Sequence, residues 1–137
     1  MATLIDTSVL FAYTSRKDAR YAEARRLIHS LIDDTRVVSA PVLNELFYLA
    51  TVRINYRHAT ELFATVQRAF QIEALITEDM RRMEAIMLKY ASSKFDFTDT
   101  AIMAQAERLE ITRVATFDRR DFPMFRPAHY ESLELLP

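Results

Sequence analysis

Apolar residues along this chain alternate between short clusters and longer stretches in which they recur every three or four positions, the signature of strands and helices taken in turn. The pair Leu4-Ile5 stops at Asp6-Thr7-Ser8, a group that ends a strand and caps a following helix. Between Ala19 and Ile32, the positions Ala24, Leu27, Ile28, Leu31 and Ile32 keep helical spacing, and Asp33-Asp34 closes that helix. Val37-Val38 then runs into Ser39-Ala40-Pro41, where Ser39 suits a helix cap and Pro41 the first turn. The helix so opened carries Val42, Leu43, Leu46, Phe47 and Ala50 toward the core, and a second stripe follows at Ala59, Leu62, Phe63, Val66 and Phe70. Ile72 to Ile76 reads as a third strand. Thr77 opens a helix with Met80, Met83, Met87 and Tyr90 on one face, read as core, and Asp96-Phe97-Thr98-Asp99 begins the next helix. Arg113 to Phe117 makes a fourth strand and Leu133 to Leu136 a last short one. This alternation predicts an α/β sandwich around a mainly parallel sheet.

The length of 137 residues suits one domain able to bury its own core, and no linker or repeat divides it. Cysteine is absent, which excludes disulfides, iron-sulfur clusters, thiol catalysis and cysteine-based zinc sites. Glycine is absent too, so no glycine-rich phosphate cradle exists and Asn, Asp or Ser must make the tight turns. His29, His58 and His129 lack paired ligand spacing and read as surface or edge residues. No apolar run is long enough to span a bilayer and no signal segment opens the chain, so a cytoplasmic location is expected. A net charge of -1 gives no global attraction to a polyanion, so any nucleic-acid role must rest on a local patch.

In an open parallel sheet, ligands gather outside the carboxyl ends of the strands. Asp6 follows the first strand, Glu45 lies early in the helix after the second, Asp99 is in the first turn of its helix and Asp118 follows the fourth strand. Each has a structural explanation: a cap, a solvated face, a helix-dipole partner, a turn. Taken together they concentrate negative charge in one place, which costs repulsion that a divalent cation relieves. Oxygen ligands without sulfur or imidazole favour magnesium or manganese, and the chemistry that follows is metal-assisted phosphodiester hydrolysis. Asp96, three residues before Asp99, reads as the helix cap, and Asp121 falls outside the core site.

The segments LIDTSVL, PVLNEL, FDFTDTAIMAQA and VATFDRRDF, in this order and spacing, resemble the motifs of the PIN-domain family, and the terminal LELLP resembles the final strand of many VapC-like toxins. The resemblance implies a three-layer α/β/α core and a magnesium- or manganese-dependent endoribonuclease acting on RNA. Asp6 and Asp99 match the principal metal-ligand positions, and Glu45 and Asp118 the supporting acids. Thr7, Ser8 and Thr116 are neighbours suited to hydrogen-bond a carboxylate or water. The resemblance further implies a homodimer and a small VapB-like antitoxin partner. Phe47, Tyr48, Tyr56 and Phe63 read as core or half-core side chains, with partner binding as their other use.

Arg119, Arg120 and Arg126 are the candidates for a phosphate-binding edge, the alternative being that Arg119 and Arg120 pair with nearby carboxylates. Two rival classes lose on particular residues. A haloacid-dehalogenase-like phosphatase wants an acid where Ser8 stands, and a receiver domain wants a lysine after a late strand, whereas the lysines are Lys17, Lys89 and Lys94. A third alternative, a PIN-like module that binds RNA or protein without turnover, is disfavoured by the retention of all four acids.

Overall fold

The computed structural model describes residues 1–137. Five strands, β1 (Ala2–Ile5), β2 (Thr35–Ser39), β3 (Gln71–Glu73), β4 (Arg113–Ala115) and β5 (Glu134–Leu136), form one sheet in the order β3-β2-β1-β4-β5. Every pairing is parallel, with Leu4 opposite both Val37 and Val114 and Ile5 opposite Ala115. Strands of a parallel sheet are covered on both faces and therefore read as unbroken apolar pairs, as Leu4-Ile5 and Val37-Val38 do. The chain builds outward from β1 to β3, then returns across the sheet to β4. That reversal makes the ends of β1 and β4 the switch point, and the crevice opens there.

The helices are α1 (Thr7–Thr14), α2 (Tyr21–Ser30), α3 (Ala40–Arg53), α4 (Tyr56–Ala69), α5 (Thr77–Lys89), α6 (Phe97–Arg108) and the single turn α7 (Asp121–Met124). They flank the sheet on both sides and close a core of 34 buried apolar side chains, among them Leu10, Ile28, Leu46, Ile86, Met103 and Phe122. Helices α1 and α6 are buried nearly all round: Val9 to Ala12 and Thr100 to Ala106 are shielded without interruption. A helix covered on all sides has no polar stripe, which is why these two showed themselves in the sequence by their caps rather than by period.

Several boundaries and faces differ from the sequence expectation. Helix α2 stops at Ser30, so Ile32 stands exposed in the turn that follows. Strand β3 ends at Glu73, because the next residues lead into α5, whose first turn is fixed by the Asp79 carboxylate accepting the Ile76 N–H at 3.1 Å. Ser39 precedes α3 but does not cap it; its hydroxyl is buried without a partner. Met83 is buried as read, whereas Met80, one turn earlier, is exposed. Tyr48, Tyr56 and Phe63 are exposed as well, and only Phe47 of that group is half-buried, edge-on to both Tyr56 and Phe63 across the α3–α4 groove.

Lacking glycine, the chain places Lys94 (φ 55°) and Glu110 (φ 54°) in the left-handed region, not the Asn, Asp or Ser expected there. Glu110 closes α6: its N–H donates to the Glu107 carbonyl at 3.2 Å and the Ile111 N–H to the Ala106 carbonyl at 2.9 Å, the paired bonds of a Schellman ending. A side chain in this conformation costs about 1 kcal/mol relative to glycine. Glu110→Gly is therefore expected to raise stability by about 0.5–1 kcal/mol in urea melts. A neutral or destabilising result would mean that the Glu110 side chain contributes something its position does not reveal.

Candidate active site

Asp6 leaves the end of β1, its N–H donating to the Ala115 carbonyl of β4 at 2.9 Å. Its Oδ1 accepts the Thr7 N–H at 2.8 Å, which caps α1. Its Oδ2 accepts two hydroxyls, Thr116 Oγ1 at 2.7 Å and Ser8 Oγ at 3.1 Å. Each hydroxyl in turn takes a main-chain N–H from the loop after β4: Thr116 that of Asp118 at 2.9 Å, Ser8 that of Phe117 at 3.1 Å. A closed network thus ties the ends of β1 and β4 together around one carboxylate. Despite these bonds, which favour the charged form, burial dominates and raises the Asp6 pKa, with the charge of Glu45 adding to the rise. Ser8 and Thr116 act as the sequence suggested. Thr7 contributes its main-chain N–H, while its hydroxyl is buried without a partner.

Asp99 stands half-buried in the first turn of α6, its N–H held by the exposed cap Asp96 at 2.8 Å. Burial, then the charges of Asp6, Asp96, Asp118 and Asp121, push its carboxyl up to about 8. Asp118 shapes the loop after β4 by accepting the Arg120 N–H at 2.8 Å and the Asp121 N–H at 3.2 Å through Oδ1. This turn brings Asp121 inward, and Asp99, Asp118 and Asp121 offer carboxylate oxygens within 4.8 Å of one another. Asp121, expected from the sequence to fall outside the core site, is thus drawn into the cluster. A turn that folds back on itself is invisible to a reading by sequence spacing.

Asp6, Glu45, Asp99 and Asp118 all line one open cleft of about 430 Å³ at the switch point. Glu45 reaches it from α3, on a stripe with Leu49 and Arg53 that the four-residue helical repeat turns to the same side. No histidine lines the cleft. The arginines singled out in the sequence are engaged elsewhere: Arg119 donates to the main-chain oxygens of Thr116 (2.9 Å) and Pro137 (3.0 Å), and Arg126 to those of Pro123 (2.6 Å) and Phe125 (3.1 Å). Arg120 pairs with Asp121 at 3.1 Å. The cations that do line the cleft are Arg20 and Arg53, which sequence reasoning missed. Only the helical offset of Arg53 from Glu45, eight residues on, hinted at it.

A family model described as PIN domain matches residues 3–126. The chain belongs to the PIN domain family. No curated protein sequence is a significant match. Among solved structures, this PIN domain is similar to VapC20 of Mycobacterium tuberculosis, a sarcin-ricin loop cleaving toxin, with a TM-score of 0.78 at 22% identity over 85% of this chain and 89% of that one. It is also similar to VapBC2 of Rickettsia felis, solved bound to a DNA fragment from its promoter (TM-score 0.72, 15% identity, 98% and 97% covered). A third similar structure is VapBC-1 of nontypeable Haemophilus influenzae (TM-score 0.64, 19% identity, 89% and 90% covered). At these identities the likeness establishes the three-layer PIN fold. The cleft described above lies in the part of the chain that the family model covers. No helix of this PIN domain is long and apolar enough to cross a membrane.

Proposed function

We propose that this chain is a divalent-metal-dependent endoribonuclease and the toxin of a VapBC-type pair. The observation that carries the reading is the convergence of Asp6, Glu45, Asp99 and Asp118 from four separate segments of the chain on one cleft, with Asp121 beside Asp99 and Asp118. Such a gathering of carboxylates repels itself, and no lysine or arginine ion pair reaches Asp6, Glu45, Asp99 or Asp118. The donor set is oxygen alone, which fits magnesium or manganese and not a soft metal. We assign the cation to Asp6 and Asp99, with Glu45 and Asp118 in support and Asp121 beside them.

What such a cation supplies when bound is stabilisation of negative charge on the phosphodiester and a more acidic water. The protein's own part is to hold the carboxylates in register. Ser8 and Thr116 fix the Asp6 carboxylate through Oδ2 and transmit its position to the loop that carries Asp118. The cap at Asp96 fixes the first turn of α6 and with it Asp99.

The partners follow from the same reading. An apolar groove of about 470 Å³ between α3 and α4, lined by Leu43, Phe47, Tyr56 and Phe63, supports docking of an amphipathic antitoxin helix. The exposed side chains of Tyr48, Ile76, Met80 and Phe97 supply an apolar surface for a homodimer.

The test is cleavage of a mixed pool of structured and single-stranded RNA with magnesium or manganese, with chelator, and with Asp6→Ala. Cleavage that disappears in both controls is the expected result. Cleavage that persists in chelator, or in the variant, would overturn the assignment. Specific RNA binding without cleavage in either metal would favour a non-catalytic module.

A further inference from the structure

A cleft with an acidic floor in a chain of net charge -1 must still attract a polyanion, and the residues that do so are not those the sequence offered. Two guanidinium groups border the acids, each laid over an aromatic ring that also lines the cleft: Arg20 at 3.6 Å from the ring centre of Phe117, and Arg53 at 5.3 Å from that of Phe11. Arg20 spends Nε and one terminal nitrogen on the exposed Glu23, at 3.0 and 3.1 Å. The Arg53 guanidinium forms no ion pair and donates no hydrogen bond, although acids line the same cleft.

The helix dipole alone accounts for a cation in the last turn of α3. It does not account for a guanidinium laid on Phe11 within the cleft. A guanidinium held over an aromatic face keeps its N–H groups free to donate to two phosphate oxygens side by side. A lysine at this place offers a point charge without the fork.

We propose that Arg53, assisted by Arg20, forms a phosphate-binding edge that holds the RNA backbone next to the acidic cluster. The ligand is a phosphodiester group of the strand, one position removed from the bond at the acids. Glu45 and Arg53, on one stripe of α3, then divide the work: the acid faces the reacting phosphate and the arginine its neighbour. This inference rests on the nuclease reading of the cleft.

The experiment measures binding of the intact protein to a mixed-sequence 2′-O-methyl RNA oligonucleotide in magnesium across a salt series, for wild type, Arg53→Met and Arg53→Lys, alongside cleavage kinetics on unmodified RNA. Arg53→Met is expected to weaken binding about ten-fold, uniformly over sequence, as loss of a charge-assisted contact does. The slope of log affinity on log salt should fall by about 0.7, the share of one phosphate on a single strand. Arg53→Lys should restore the slope but only part of the affinity, and the loss in cleavage should fall on KM more than on kcat. The Arg53 side chain is exposed, so melting curves of both variants serve as the folding control. An unchanged slope and KM in Arg53→Met, with wild type binding and cleaving, would overturn the phosphate edge alone. Wild type that neither binds nor cleaves would remove the nuclease reading and this inference with it.

Discussion

Asp99→Asn should reduce metal-dependent RNA cleavage at least ~100-fold, beyond what loss of an outer supporting group costs, while making the cation-free protein more stable. The two effects have one origin. Asp99 is the acid shared by both parts of the site, feeling the charge of Asp6 on one side and of Asp118 and Asp121 on the other. Burial and these charges raise its folded pKa to about 8, against an ordinary aspartate value of 3.8. A carboxyl raised in this way is comfortable when protonated. Its stabilising contribution is complete below about pH 4 and is lost as pH rises through about 8, because the folded state must then carry the charge or hold the proton against solvent. Asparagine keeps the shape and never charges, so the variant escapes the loss. Asp99 is half-buried and partly screened by solvent, which limits the gain at pH 8 to about 0.5–2 kcal/mol. Paired melts of wild type and variant in chelator at pH 5 and pH 8 check this, the difference growing toward the higher pH. A variant that cleaves at the parental rate would remove Asp99 from the mechanism.

The largest stability effect lies away from the cleft. Asp79 is buried, and its carboxylate receives Arg108 through Nε at 2.7 Å and a terminal nitrogen at 3.0 Å while also accepting the Ile76 N–H. Arg108 reaches Glu73 of β3 as well, at 2.9 Å, so one guanidinium locks α5, α6 and the edge strand together. Arg108→Met removes the cation and leaves the Asp79 charge enclosed. Breaking such a pair costs about 3–5 kcal/mol, nearer 3 here because Arg108 keeps some contact with water. That corresponds to a fall of roughly 10 °C in melting temperature for a chain of this size. A change below about 0.5 kcal/mol, the range of an ordinary surface substitution, would show that Asp79 is solvated or protonated in the folded state.

The fold was legible where local chemistry and period agree. Leu4-Ile5 running into Asp6, and Asp96 three residues ahead of Asp99, are a strand end and a cap that announce themselves, and both hold in the structure. The common cleft of Asp6, Glu45, Asp99 and Asp118 followed from the rule that ligands sit at the carboxyl ends of parallel strands. What escaped depends on tertiary geometry. Asp121 joins the acids only because Asp118 folds the loop back through two main-chain N–H groups. Arg119 and Arg126 look free in sequence but are claimed by main-chain oxygens, while Arg20, just ahead of α2, and Arg53, in the last turn of α3, are brought to the cleft by the packing of those helices. Met80 and Phe63 fit a core period yet face outward, since period fixes a face only to within the width of a stripe. The left-handed turn at Glu110 follows from the ending of α6, which imposes that conformation whatever residue stands there, whereas Lys94 takes it in the loop between α5 and α6.

The central claim, that these acids are gathered to hold a divalent cation, is tested most directly by titrating manganese into the purified protein and following its melting temperature at pH 5.5 and pH 8, beside Asp6→Ala and Asp99→Asn. A cation bound only by the folded state at 100 times its Kd adds about 2.7 kcal/mol. The expected result is a saturable rise in wild type, larger at pH 8, where the proton competes less for Asp99 than at pH 5.5, and little or no rise in either variant. No stabilisation of wild type at millimolar manganese, or an equal rise in all three proteins, would contradict it.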